Sequence, residues 1–218
     1  MTHNLFTLSK LTVACLLLST ASTFAQFGTL PKAISKTSGT TAIVGATSAA
    51  DSAAIKLDQA IMASDKGDKT ATVNALNDGI AAAEVQAATS KGDFKDKLMS
   101  QTSNLKKLIP GVASGAVSGN VLTKAVSLVK MALGANQVSN LLGGGGSLLG
   151  SVGALTGGLN LMKGALPSLG GQASSTGSSL IGSALSGVGK LGGMGGAAAE
   201  PAVKNQLGSV LNFAKGIL

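Results

Sequence analysis

The side chains suited to chemistry are few, and their places in the chain exclude most reactions. Asp51, Asp58, Asp65 and Asp68 lie in one short stretch. Grouped carboxylates can hold a cation, but this spacing does not match a calcium loop, whose oxygen ligands recur at alternate positions. They read as surface and helix-capping residues. The only histidine is His3 and the only cysteine is Cys15. Beyond residue 25 the chain therefore has no means of building a Ser-His-Asp or Cys-His site, a zinc finger or an iron–sulfur ligand set. Ser127 stands three residues before Lys130, the spacing of a Ser–Lys nucleophile pair, but no supporting motif accompanies it. The four-glycine run at 143–146 lacks the Gly-Lys-Ser/Thr ending of a phosphate loop. The sequence predicts a protein that is not an enzyme, with no cofactor and no metal.

Residues 1–25 read as a secretory signal. His3 and Lys10 lie in the polar lead, residues 11–18 are the apolar run, and Thr23-Phe24-Ala25 offers a cleavage site before Gln26. The run is too short to span a bilayer as a helix. Cys15 lies inside it, with Thr12 where a lipid-modified cysteine would have a leucine, so lipoprotein processing is not expected. The expectation is export to a bacterial periplasm or the extracellular space. The processed chain, free of cysteine, would be held by packing alone.

All 17 basic residues are lysine, and the formal net charge is +8. From Gln26 to Asp96 there are seven lysines against eight acids; from Lys97 onward there are nine against Glu200 alone. A basic half suits an anionic membrane surface or nucleic acid. Nucleic acid is the poorer fit, because the chain has no arginine fork and aromatics make up 2% of it. Hydrophobic residues reach 44%, drawn from Ala, Leu, Val, Ile and Met, which suits helices better than sheets.

The elements follow from spacing. Residues 26–44 carry Pro31, Gly39 and a Ser/Thr-rich run and read as an unstructured entry segment. Residues 45–109 read as a three-helix unit. Ser64-Asp65-Lys66-Gly67-Asp68 is echoed by Thr89-Ser90-Lys91-Gly92-Asp93, with glycine ending one helix and aspartate capping the next. Pro110 is expected to open the following helix, and Gly134 to end it, before a short helix over 135–142. Residues 110–191 form a glycine-rich apolar helical region. Within it Gly111, Gly115 and Gly119 recur every four residues, a stripe for close helix packing.

Leu148, Val152, Leu155, Leu159, Met162 and Leu166 step by four and three, the seam of a helix over 147–166. Each glycine inside that helix costs roughly 1 kcal/mol, whereas each large side chain contributes roughly 1.5–3 kcal/mol once buried. The seam must therefore be covered, by packing within the chain or by association. Residues 168–179 read as loop, 180–191 as a short helix, and 192–200 as a glycine-rich linker. Residues 201–218 form an amphipathic helix opened by Glu200-Pro201.

The sequence thus predicts an all-α protein: an N-terminal three-helix unit followed by glycine-rich apolar helices in an irregular bundle with Gly/Ser links. The expected role is a structural or interaction protein of the envelope or extracellular space. Its partner would be a second copy or an envelope protein. The alternative is a membrane-active protein, lipid-binding or pore-forming through its cationic glycine-rich half.

Overall fold

The structure, a computed structural model, describes residues 49–193 and 196–218. The expected signal and entry segment lie outside the described residues. Seven α-helices follow in order: α1 Ala49–Asp65, α2 Lys69–Ala88, α3 Asp93–Ser114, α4 Gly119–Gly143, α5 Val152–Ala165, α6 Gly171–Leu191 and α7 Gly196–Ile217. Two 3-10 turns, Leu148–Ser151 and Leu166–Leu169, flank α5. Among the described residues there is no strand, and the protein is an all-α bundle.

The first link is built as its residues dictate. Gly67 adopts φ +74°, a conformation that costs other residues a clash at Cβ. Asp68 then accepts a hydrogen bond from the Ala71 amide at 2.9 Å and caps α2. The echoed link differs. Gly92, at φ +88°, itself takes the cap position, and Asp93 enters the first turn of α3 without capping it.

The helices close into two four-membered rings that share α4. In the first, α1 packs on α2, α2 on α3, α3 on α4, and α4 back on α1. In the second, α4 packs on α5, α5 on α6, α6 on α7, and α7 back on α4. Short links between sequential helices favour such up-and-down neighbours. Leu122, Val126, Val129 and Leu133 of α4 join the core around Leu57, Leu76, Leu98 and Leu105. Met131, Ala135 and Val138 of the same helix join the other core, with the buried seam residues and the inner face of α7. Residues 131–136 of α4 are consequently buried on every side, as expected of a helix apolar all round.

Four boundaries differ from the expectation. Pro110 lies inside α3, which runs on to Ser114. Its ring removes one backbone donor, but Val112 in the final turn is buried and repays the continuation. The helix instead stops at Gly115, φ +83°, where the Ala116 amide reaches back to the Gly111 carbonyl at 2.8 Å. Gly134 does not end α4; the helix passes through it to Gly143, because the missing side chain lets α5 approach. Residues 171–179 are helix rather than loop, since Gly177 and Ile181 are buried against their neighbours. Finally, α7 begins at Gly196, and Pro201 lies within it rather than at its start.

Gly111, Gly115 and Gly119 do not form one stripe. Gly111 is in α3 beside Val117, Gly115 is its left-handed terminus, and Gly119 opens α4. Their four-residue period crosses a helix end, so periodicity alone did not place them on one face.

Candidate functional site

The seam named from sequence lies within the molecule. Leu148, Leu155, Leu159, Met162 and Leu166 are buried, and Val152 is half-buried against the same core. Their cover comes from α4, α6 and α7 of the same chain. The apolar row of α7 is covered likewise: Val203, Leu207, Val210 and Ala214 are buried, while Lys204, Asn205, Ser209, Asn212 and Lys215 face outward.

Two ion pairs lie near the ends of α7, the first within the helix and the second crossing to α3. Glu200 pairs with Lys204 at 2.8 Å and accepts a hydrogen bond from Ser147 at 3.0 Å, which ties α7 to the link after α4. The Lys204 and Ser147 hydrogen bonds hold the Glu200 carboxyl below its ordinary value. Lys215 pairs with Asp93 at 2.6 Å, with its ammonium 5.8 Å from the Phe94 ring centre. The Lys215 hydrogen bond, and then its charge, lower the Asp93 carboxyl in the same way. Asp93, Phe94, Ser139, Asn212 and Lys215 line a groove of about 350 Å³ here.

The other sequence candidates for chemistry are dispersed. Asp58 takes both of its hydrogen bonds from Lys130, at 2.7 and 2.9 Å, joining α1 to α4. Lys130 is thereby committed to a carboxylate, and Ser127 is buried one turn away. Asp51, Asp58 and Asp65 lie along α1, and Asp68 is a cap. Among the described residues no three His, Cys, Asp or Glu side chains gather as metal ligands. No described helix is long and apolar enough to cross a membrane.

A polar cluster that the sequence reading missed lies where the two rings meet. Asn136 is wholly buried in α4 and donates to the Ser90 hydroxyl. Asn140 donates to the same hydroxyl at 3.2 Å, and Ser90 donates to the Gln86 carbonyl at 2.6 Å. The Lys91 amide completes the set by donating to Asn140 Oδ1 at 3.3 Å. These bonds fasten the α2–α3 link onto α4. The signal available in sequence was the polar group Asn136, Gln137, Ser139 and Asn140 directly after the uncharged small and apolar residues 131–135.

The surface shows a second feature without a sequence forecast. Ile55 and Met62 of α1 are 51% and 55% exposed, whereas Leu57 of the same helix is buried. Seven residues apart, they share one outward row with Gln59 between them. The row's charge surroundings contrast with the opposite ring. From Ala49 to Ala88 there are six acids and three lysines, while from Leu148 to Leu218 there are four lysines and one acid. Comparison with protein-family models, with curated proteins and with solved structures finds no match for the chain.

Proposed function

We propose that this is an exported, non-enzymatic helical protein that works by association, as a structural or interaction component of the bacterial envelope or the extracellular space. The observation that carries the reading is the outward row of Ile55 and Met62 on α1. Val85, Met99 and Val121 are exposed one to a helix on α2, α3 and α4, whereas Ile55 and Met62 stand in one row of α1, a surface to be covered. The distribution of ionisable groups supports the same reading. Carboxylates are engaged singly with lysines, as in Asp58–Lys130 and Asp93–Lys215, rather than converging on a cleft. Export rests on the leader pattern at 1–25.

The test combines cell fractionation with vesicle flotation. Tagged protein is expected in the exported fraction, starting at Gln26, and is not expected to float with anionic phosphatidylglycerol vesicles. Retention of the uncleaved chain inside the cell would overturn the export reading. Flotation with vesicles, or leakage of their contents, would replace association by a membrane-active role acting through the lysine-bearing second ring.

A further inference from the structure

We propose that the protein associates head to tail with a second copy of itself, the outward row of α1 seating in the groove between α6 and α7 of its neighbour. This rests on the interaction reading above and names the partner.

The row has the form of a ridge. Ile55 and Met62 are two helical turns apart, about 10 Å along the axis, and both stand half-exposed. Asp65 stands exposed on one flank of the row, whereas Asp58 on the same flank is engaged with Lys130 of α4. The groove has the complementary form. Ser183, Ser186 and Gly187 of α6 face Ala199, Ala202 and Gln206 of α7 across about 300 Å³. These small side chains leave room for large ones, as ridges of one helix fit grooves between others.

Charge agrees with shape. Lys190 lines the groove and is exposed. Asp65, flanking an apolar ridge, thus meets Lys190 beside a groove of mostly small residues. On the larger scale the acid-rich pair α1–α2 meets the lysine-rich second ring, an arrangement that steers association and sets its orientation. This is why a second copy is the occupant: the complement is encoded in the same chain. Within one molecule the two patches belong to different rings, α1 packing chiefly on α2 and α4 and α6 on α5 and α7. A contact between unlike patches leaves one of each unsatisfied at the ends, so it propagates into a ring or an open chain. So small a patch forms a weak, concentration-dependent contact.

The experiment is sedimentation equilibrium of the purified protein over a concentration series, at low salt and near 1 M salt. The average mass is expected to rise above the monomer at low salt and to fall back at high salt, where screening acts within about 3 Å. Met62→Lys and Lys190→Glu should each reduce the association at least several-fold. Pairing Lys190→Glu with Asp65→Lys should restore it. All three positions are exposed, and circular dichroism checks that each variant keeps its helicity. A monomer at every concentration in low salt overturns the proposal. So does association that Met62→Lys and Lys190→Glu leave unchanged, or a loss that the charge-exchanged pair does not recover. A monomer that instead binds polylysine through Met62 would assign the row to a foreign basic partner, and it too overturns the proposal. Fractionation and flotation read the wider function separately, so either conclusion can fail without the other.

Discussion

Gly134 of α4 lies against Gly158 of α5 where the two helices cross. A methyl group at Gly134 would press on the Gly158 carbonyl oxygen and stand 2.6 Å from Met162 Cγ; at Gly158 it would stand 3.0 Å from the Gly134 carbonyl oxygen. The crossing joins the helix shared by both rings to the helix that carries the seam. Gly134→Ala is therefore expected to destabilise the protein by about 1–3 kcal/mol through overpacking, despite alanine's better helix propensity. Gly164 of α5 is the control: a methyl there meets nothing within 4 Å. Gly164→Ala should be stabilising by up to about 1 kcal/mol. Urea unfolding midpoints distinguish the two, and equal shifts for both variants would sink the account of the crossing.

The Ser90–Asn136 contact yields a second expectation. Ser90→Ala strands the buried Asn136 amide and removes a partner of the part-buried Asn140 amide, both of which donate to its hydroxyl. Leaving a buried donor unpaired costs about 1–3 kcal/mol. Adding Asn136→Leu, which replaces the stranded amide by an apolar side chain of similar size, should recover much of that loss. The double-mutant cycle measures it; additive losses would show that the two side chains do not act together.

Acid should loosen the attachment of α7. Glu200 and Asp93 are held below their ordinary values of 4.5 and 3.8 in the folded chain. Their contribution is complete above those values and is lost as the pH falls through the lower folded-state values. Unfolding free energy is thus expected to decline on acidification below about pH 5. Glu200→Gln and Asp93→Asn should each flatten the decline and lessen the salt sensitivity of stability. The effect is small because Asp93, Lys204 and Lys215 are open to solvent, with only Glu200 largely covered at 16% exposure. Urea titrations across the acid range read it, and unchanged slopes in both variants would remove these groups as its source.

Pro110 offers a fourth test. It is exposed and lies inside α3, where a proline removes a helical hydrogen bond and crowds the preceding turn. Pro110→Ala is expected to raise stability by about 1–3 kcal/mol, with a higher unfolding midpoint. Gly115→Ala should do the reverse, because its backbone is left-handed at φ +83°. A destabilising Pro110→Ala would mean that the proline shapes the turn into α4 rather than merely being tolerated.

Much of the helical content was legible from spacing. The four-and-three step from Leu148 to Leu166 marked a face that is now buried, apart from half-buried Val152. The row Leu122, Val126, Val129 and Leu133 was legible in the same way, and all four are buried. Periodicity reports which side of a helix must leave water, and that requirement is local. The Gly67–Asp68 turn was equally readable, because left-handed backbone and side-chain capping are decided within a few residues.

Other features were not local. Gly134 and Gly115 are the same residue type at similar distances from apolar runs, yet one lies within a helix and the other ends one. Only the residue opposite decides: Gly158 rewards the absence of a side chain at 134, whereas Gly115 answers a backbone dihedral. The helical start of α6 and the continuation of α3 through Pro110 likewise depend on burial of Gly177 and Val112. Sequence by itself determined an all-α chain, its apolar faces and its uneven charge, because these are sums over side chains and their spacing. Tertiary structure alone decided that α4 serves two cores, that the seam is covered from within, and that Ile55 and Met62 remain outside, because each depends on contacts between distant segments.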